Sequence, residues 1–448
     1  MKINNSLTLE NLRPKIDRFF NLAGPKILDL ENTWDPAQGT PVFTVQGKYT
    51  SRGWTEWTQG FQFGCAILQF DATGDKEFLH IGRRNTIDRM ATHVSHMGVH
   101  DHGFNNISTY GNLRRLILEG RIEDDEAGLH FYEMAIKASG AVQASRWTSL
   151  PNGLGYICSF NGPHSLFSDT IRSLRILGLA HKLGHVLMGE NDKPISLLQR
   201  LIQHAQTTAL YNVYYGEGRD SYDVPGRVVH ESIFNVTDGN YRCPSTQQGY
   251  SPFSTWTRGL AWVLCGYPEQ LEYFETLSDD EVSEFVVPEE FRQQSLRAAT
   301  ATADFIIENS CADGIPFWDT GAPGLANLPD YREHPSDPDN DFEPVDSSAS
   351  NICGQGLWRL SKYLDQKGEA EKANHYRQAA FTLADTLFSP PYLSESPDHQ
   401  GLILHSIYHR PNGWDHVPQG SKVPNGESSL WGDYHAMEFA LLLKRECE

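Results

Sequence analysis

Apolar residues recur along this chain at helical spacing far more than at strand spacing. In RQQSLRAATATADFIIEN, Leu296, Ala299, Ala303, Phe305 and Ile306 approximate a single face, the signature of a helix that buries one stripe. EKANHYRQAAFTLADTLF shows the same character, rich in Ala and Leu with polar residues between. Helices are predicted over residues 10–21, 57–72, 76–93, 105–118, 125–139 and 165–183. Six more are predicted over 193–211, 252–267, 292–308, 348–364, 370–387 and 429–444. Gly, Pro, Asp and Ser clusters separate them, such as PNG at 151–153 and DPDND at 337–341. Short β pairs are expected near 226–234 and 402–409, not as the scaffold.

A dozen amphipathic helices with no Pro/Ser-rich or Gln-rich linker predict an all-α chain. Each apolar stripe needs neighbours and closure supplies them, so the expected architecture is an (α/α)6 barrel, one catalytic domain over residues 1–448, with long loops over the active-site mouth. An open helical solenoid is the alternative, but no short period repeats clearly. The connections 212–251, 309–347 and 388–428 are too long for helical turns and carry Trp, His, Tyr and Asp, which marks them as a binding surface.

Composition narrows the classes. Hydrophobic residues make up 39% and charged residues 21%, which is ordinary for a globular protein, and no apolar run reaches membrane-spanning length. A formal charge of -20 disfavours nucleic acid and anionic lipid as partners; a small anionic substrate would need a local basic pocket. The first twenty residues lack a signal-peptide core, so a cytoplasmic location is expected, or a periplasmic one if a leader has been removed. Seven scattered cysteines form neither a disulfide framework nor a zinc cluster. No cofactor and no metal are expected, and the oligomeric state is not addressed by the sequence.

Three constellations carry chemistry. GVHDHGFNN holds His100, Asp101, His102 and Asn105; Asp101 reads either as a helix cap or as part of an oriented polar pocket. A metal reading is weaker, because the three residues are consecutive and no HExxH motif is present. Asp169 lies near the apolar face of a predicted helix with Phe167, Ile171, Leu174 and Leu177. Loss of water there should raise its pKa, the direction a general acid requires; a cap by Ser168 or a solvent-facing Asp169 is the plainer reading. In STQQGYSPFSTWTRGLAW, Arg258 precedes Trp262 by four residues, one helical face offering a cation and an aromatic plane. These suit a sugar acid, Arg for the carboxylate and Trp for the apolar ring face; a cap by Ser254 or Thr255 and core packing by the tryptophans is the alternative. His230, Gln247 and Gln248 would complete a polar lining, and Trp54 and Trp57 are either barrel packing or sugar platforms. No GxSxG elbow, P-loop or dinucleotide fingerprint occurs in a suitable setting.

In order along the chain, WTQGFQFG at 57–64, HDHGF at 100–104, the Asp169 segment and QGYSPFSTWTRGLAW at 248–262 resemble the unsaturated glucuronyl hydrolases. GIPFWD at 314–319, PVDSSAS at 344–350, GLILHSIYHRPNGW at 401–414 and GDYHAMEFALL at 432–442 extend the match over most of the chain. The resemblance implies an (α/α)6 barrel acting on lyase-generated anionic oligosaccharides that end in a 4,5-unsaturated uronic acid. It implies Asp169 as general acid and base, Asp101 as its supporting carboxylate, and His230, Arg258 and Trp262 around the sugar, with His100, Gln247, Gln248, Trp54 and Trp57 as further candidate contacts. Gln247 stands where the family often has His, HDHGFNN is more polar than the family pattern, and Arg410 follows HSIYH; all three bear on which sugar is recognised. The competing expectations are hydrolysis of a saturated uronide by conventional acid/base cleavage and saccharide binding without catalysis.

Overall fold

The helices divide into two kinds by how their surfaces are used. In the computed structural model, which describes residues 1–53, 57–123 and 125–447, α1 spans Leu9–Thr33, α2 Gln59–Thr73 and α3 Lys76–Arg89. A π-helical turn, Ile107–Gly111, joins α4 (His102–Asn106) to α5 (Asn112–Leu118), and α6 is Glu126–Ser145. A 3-10 segment, Ser168–Ser173, leads into α7 (Leu174–Lys182). Then follow α8 (Leu197–Tyr211), α9 (Thr257–Phe274), α10 (Pro288–Asn309), α11 (Ser347–Gln366), α12 (Ala370–Leu387) and α13 (Leu430–Arg445). Residues 60–71 of α2 are all buried, as are 257–271 of α9, 347–358 of α11 and 430–441 of α13. Helices buried all round belong inside, whereas α10 buries one face, Phe291, Ala299, Ala303 and Ile306 among it, and belongs outside.

Contacts close the inner set into a ring. α2 packs on the π turn, α4 on the 3-10 segment, that segment on α9, α9 on α11, α11 on α13, and α13 back on α2. The amphipathic α1, α3, α6, α8, α10 and α12 back them from outside. Among the described residues this makes six inner and six outer helical segments, the (α/α)6 architecture expected from the periodicity. Each fully buried Leu, Ile or Phe of the common core contributes about 1.5–3 kcal/mol relative to exposure. No helix of the described residues is long and apolar enough to cross a membrane.

The departures from the expected elements concentrate at one end of the ring. The stretch 165–183 begins as a strand, β5 (Ser165–Phe167), followed by the 3-10 segment, and becomes α-helical only at Leu174. β5 pairs antiparallel with β8 (Glu231–Phe234), and β8 with β9 (Tyr241–Ser245); the remaining strands, β1 (Pro41–Val45), β2 (Lys48–Ser51), β3 (Trp147–Ser149), β4 (Gly155–Ile157), β6 (Val186–Met188) and β7 (Pro194–Ser196), form two-stranded pairs. The register Phe167↔Glu231↔Ser245 sets Asp169, His230 and Gln247 just beyond aligned strand ends. Near 402–409 the expected pair reduces to isolated bridges, Leu393↔Ile403 and Leu404↔Ser428.

Candidate active site

The strand ends and the long connections surround a cleft of about 300 Å³. Its wall includes Trp57, His100, Asp101, Asp169, Gln247, Gln248, Arg258 and Trp262. Eight of the ten residues singled out from sequence therefore meet in one place. His230 stands behind the wall, and Trp54 lies outside the described residues.

His100 is wedged between the two carboxylates. Its Nε2 lies 3.3 Å from Asp169 Oδ2 and 3.3 Å from Asp101 Oδ1, and its backbone carbonyl accepts from Gln143 Nε2 at 2.7 Å and Ser173 Oγ at 3.0 Å. Phe160, 53% exposed, lies parallel to the imidazole at 5.9 Å. Asp101 occupies the N-cap position of α4, but its side chain makes no capping bond, which removes the plainer reading of that residue. The ligand atoms of His100, Asp101 and Asp169 all lie within 4.8 Å of one another, a spacing at which the three could also hold a cation. His102 turns away, its Nδ1 at 3.2 Å from the His93 carbonyl.

Burial was expected to raise the Asp169 pKa, and that expectation is corrected. Desolvation does push it up, but the hydrogen bond and charge of His100, with a smaller contribution from His230, more than offset it and hold the carboxyl below its ordinary value. His100 moves the opposite way. Burial pushes it down, and the Asp101 charge together with the Asp169 bond raises it above its ordinary value. The proton thus rests on the imidazole, between two carboxylates. Oδ1 of Asp169 has no hydrogen-bond partner among the described residues.

Around this centre the polar groups fix one another. His230 Nδ1 accepts the backbone N–H of Gln247 at 3.1 Å and of Gln248 at 3.3 Å, so its hydrogen sits on Nε2. Burial brings its pKa down to about 4, which keeps the ring neutral. Gln247 Nε2 donates to Asn161 Oδ1 at 2.6 Å. Arg258 donates to Asp346 Oδ2 at 3.0 Å, to Gln248 Oε1 at 3.0 Å, and to the carbonyls of Tyr408, at 2.7 Å, and Ile407. Those four bonds occupy all four terminal N–H groups, so the guanidinium presents charge and an aromatic-stacked plane, over Trp256 at 4.6 Å, with its hydrogen-bonding fork already engaged. It ties the Gln248 loop and the 407–408 segment to α11.

Trp262 and Trp57 both face the cleft while serving the core, Trp262 stacked on Phe104 at 5.2 Å and Trp57 on Trp431 at 5.1 Å. Ser254 and Thr255 do not cap α9; its N-cap is Trp256, without a side-chain bond. Sequence reasoning missed Phe160, Tyr408, His409, Asn412 and Trp414 in the lining. The last four lie within GLILHSIYHRPNGW, a segment that carries the resemblance but whose residues were not singled out as contacts. All seven cysteines are free.

The cleft thus sets aromatic planes beside a pair of carboxylates at the mouth of a closed double ring of helices. No protein-family model matches the chain. It is 24% identical over 388 residues to an unsaturated glucuronyl hydrolase of Formosa agariphila, covering 86% of this chain and 78% of that one. It is 21% identical over 398 residues to an unsaturated chondroitin disaccharide hydrolase of Streptococcus agalactiae, covering 88% and 83%. The crystal structure of unsaturated glucuronyl hydrolase from Streptococcus agalactiae superposes with a TM-score of 0.73 at 19% identity, covering 100% of this chain and 98% of that one. Over most of its length the chain is thus similar in sequence to unsaturated glucuronyl hydrolases, and it shares their fold.

Proposed function

We propose that this protein, acting as one catalytic barrel, removes a 4,5-unsaturated uronic acid from the non-reducing end of lyase-generated oligosaccharides by hydrating its double bond. The observation that carries the reading is the imidazole of His100 placed 3.3 Å from each of two carboxylates on the wall of an aromatic-lined cleft. The C4=C5 bond of such a sugar is part of an enol ether, so protonation at carbon starts the reaction. A uronate carboxylate entering the cleft adds a like charge beside Asp169, which drives the proton from His100 onto it. Asp169 then gives that proton to C4, and positive charge develops at C5 and the ring oxygen. Asp169, again a carboxylate, takes a proton from a water molecule as its oxygen bonds to C5. The hemiketal opens by breaking the bond between C5 and the ring oxygen. This leaves a ketone at C5 and a hemiacetal at C1, which expels the remaining saccharide as an alcohol.

Asp101 holds His100 in the charged form and so keeps the proton at hand. His230, neutral and accepting the backbone N–H groups of Gln247 and Gln248 at Nδ1, holds that loop in place at the cleft wall. Arg258 contributes positive potential toward an anionic sugar while holding Gln248 in place, and Trp57 and Trp262 offer ring faces. The location of the protein, cytoplasmic or periplasmic, belongs to the same expectation and is tested by fractionation.

Hydration destroys the conjugated chromophore, so loss of ultraviolet absorbance on incubation with lyase-treated polysaccharides reads the reaction directly. Wild-type protein should consume the chromophore of at least one such substrate. Asp169→Asn should fold normally and lose at least about 10²-fold in kcat, the scale of an essential acid/base. Cleavage of a saturated uronide with no loss of chromophore from any unsaturated substrate would overturn the reading.

A further inference from the structure

Asp169 and Arg172 are three residues apart on the 3-10 segment Ser168–Ser173, and in a 3-10 turn side chains at i and i+3 eclipse. Asp169 looks into the cleft. Arg172, 2% exposed, reaches from the same side of the segment into the barrel interior and meets three other inner helices. Its Nη2 donates to Glu269 of α9 at 2.7 Å and to Glu438 of α13 at 2.8 Å, and Nε donates to the second Glu269 oxygen at 3.1 Å. Nη2 also reaches Gln355 of α11 at 3.3 Å, and Nη1 donates to Nε2 of His435 on α13. His435 is oriented for this, because its Nδ1 bonds the Trp431 carbonyl at 2.6 Å. Its ring lies edge-on to Trp262 at 4.9 Å, and Arg172 itself lies 6.0 Å from the Trp262 ring, directly behind the cleft wall.

Burying an arginine and two glutamates adds little stability over a well-packed apolar core, whereas it fixes orientation strictly. The Asp169 segment has short-range need of that. Its 3-10 hydrogen bonds are of poorer geometry than α-helical ones, and Phe167 at its N-cap supplies no side-chain bond. We propose that Arg172 is a positioning residue for Asp169: anchored to α9, α11 and α13, it sets the rotation of the 3-10 segment and thereby holds the Asp169 carboxylate against His100 and toward the sugar. This rests on the reading of Asp169 as the proton donor.

The charges involved fall on two sides. Asp169 is faced by His100, Asp101 and His230, with His204 further back. Glu269 and Glu438 are also approached by Arg175, at 3.3 and 3.5 Å, and Glu269 by Arg359 at 3.9 Å; both of these arginines border a second cavity away from the cleft. Replacing Arg172 alone would strand two buried carboxylates. The test therefore neutralises the group together, Arg172→Met with Glu269→Gln and Glu438→Gln, beside Arg172→Lys, which keeps the charge without the planar fork.

The triple variant should fold with the wild-type circular dichroism spectrum. Its kcat should fall by about 10- to 100-fold, the cost of a misplaced reacting group, with KM changed less than threefold and the basic limb of the kcat–pH profile displaced. Arg172→Lys should recover part of kcat. A folded triple variant with wild-type kcat and pH profile would overturn the proposal, as would a loss confined to KM. Should the triple variant fail to fold, Glu438→Gln alone, which leaves Arg172 paired with Glu269, is expected to lower kcat severalfold at constant KM; unchanged kcat there also overturns it. Asp169→Asn separates the two readings. Activity in that variant defeats the assignment of the acid, whereas an inactive Asp169→Asn beside a fully active triple variant defeats only the role of Arg172.

Discussion

Asp101 opens α4 by position yet makes no bond to the backbone N–H groups of its first turn. Its charge instead acts on His100, whose pKa it raises against the downward push of burial. Stability and activity should therefore separate at this residue. A true N-cap loss costs about 1 kcal/mol; Asp101→Asn removes no capping bond, so any stability it costs should come through the pair with buried His100 and be lost as pH rises through the raised His100 pKa. In the same variant His100 loses the charge that holds its proton, and kcat should fall roughly 10²-fold, as for a displaced acid/base partner. Thermal unfolding paired with the chromophore assay measures both. A destabilised but active Asp101→Asn would return the residue to a capping role.

At the scale of elements, the site depends on close backbone approach between α4 and the Asp169 segment. A Cβ added at Gly103 would meet the Ser173 carbonyl oxygen at 2.7 Å and its Cα at 3.1 Å, and backbone atoms cannot swing aside. Gly103→Ala should push α4 away from Ser168–Ser173, lower stability by about 1–3 kcal/mol as overpacking does, and reduce kcat. Gly111, in the π turn of the same inner segment, has its nearest neighbour at 3.5 Å, so Gly111→Ala should be neutral or stabilising by up to about 1 kcal/mol. Equal effects at the two glycines in calorimetry and turnover would contradict this account. The same contrast shows what the sequence can carry. Helical period is a local property, so the helical stretches and the ring they form were legible; Asp169 stood out against an apolar helix face, Asp101 within a dense polar constellation, and Arg258 with Trp262 as a pair four residues apart. Other features depend on distant partners. SDTIRS reads as ordinary helix, and its 3-10 form follows from docking on α4 and α9. The sign of the Asp169 shift is set by a histidine 69 residues away. Arg258 is occupied by groups 88 and 150 residues away, which no window of sequence reveals.

Across the whole molecule the buried histidines should make the fold acid-labile. Burial lowers the pKa of His93, His230, His405 and His409 to about 4, and of His102, His204 and His435 to about 3. Each of these rings must stay neutral in the folded state, while in the unfolded chain it takes a proton near pH 6.5. Between those values the unfolded state binds more protons. Stability is therefore fully present above about pH 6.5 and is lost as pH falls toward 4, by about 1 kcal/mol per ring at pH 5.5. His100, with its pKa raised, works against the trend but is a single group. Asp169, Glu269 and Glu438, held below their ordinary values, add a second loss only below about pH 4. Acidification also relieves the self-repulsion of a chain of net charge -20, which by itself would stabilise the compact state. The two effects have opposite signs, so the direction identifies the winner. Tm measured by calorimetry should drop steeply between pH 6.5 and pH 5. A Tm that holds level or rises across that interval would mean that charge relief dominates and that the buried imidazoles do not govern the acid limit of this fold.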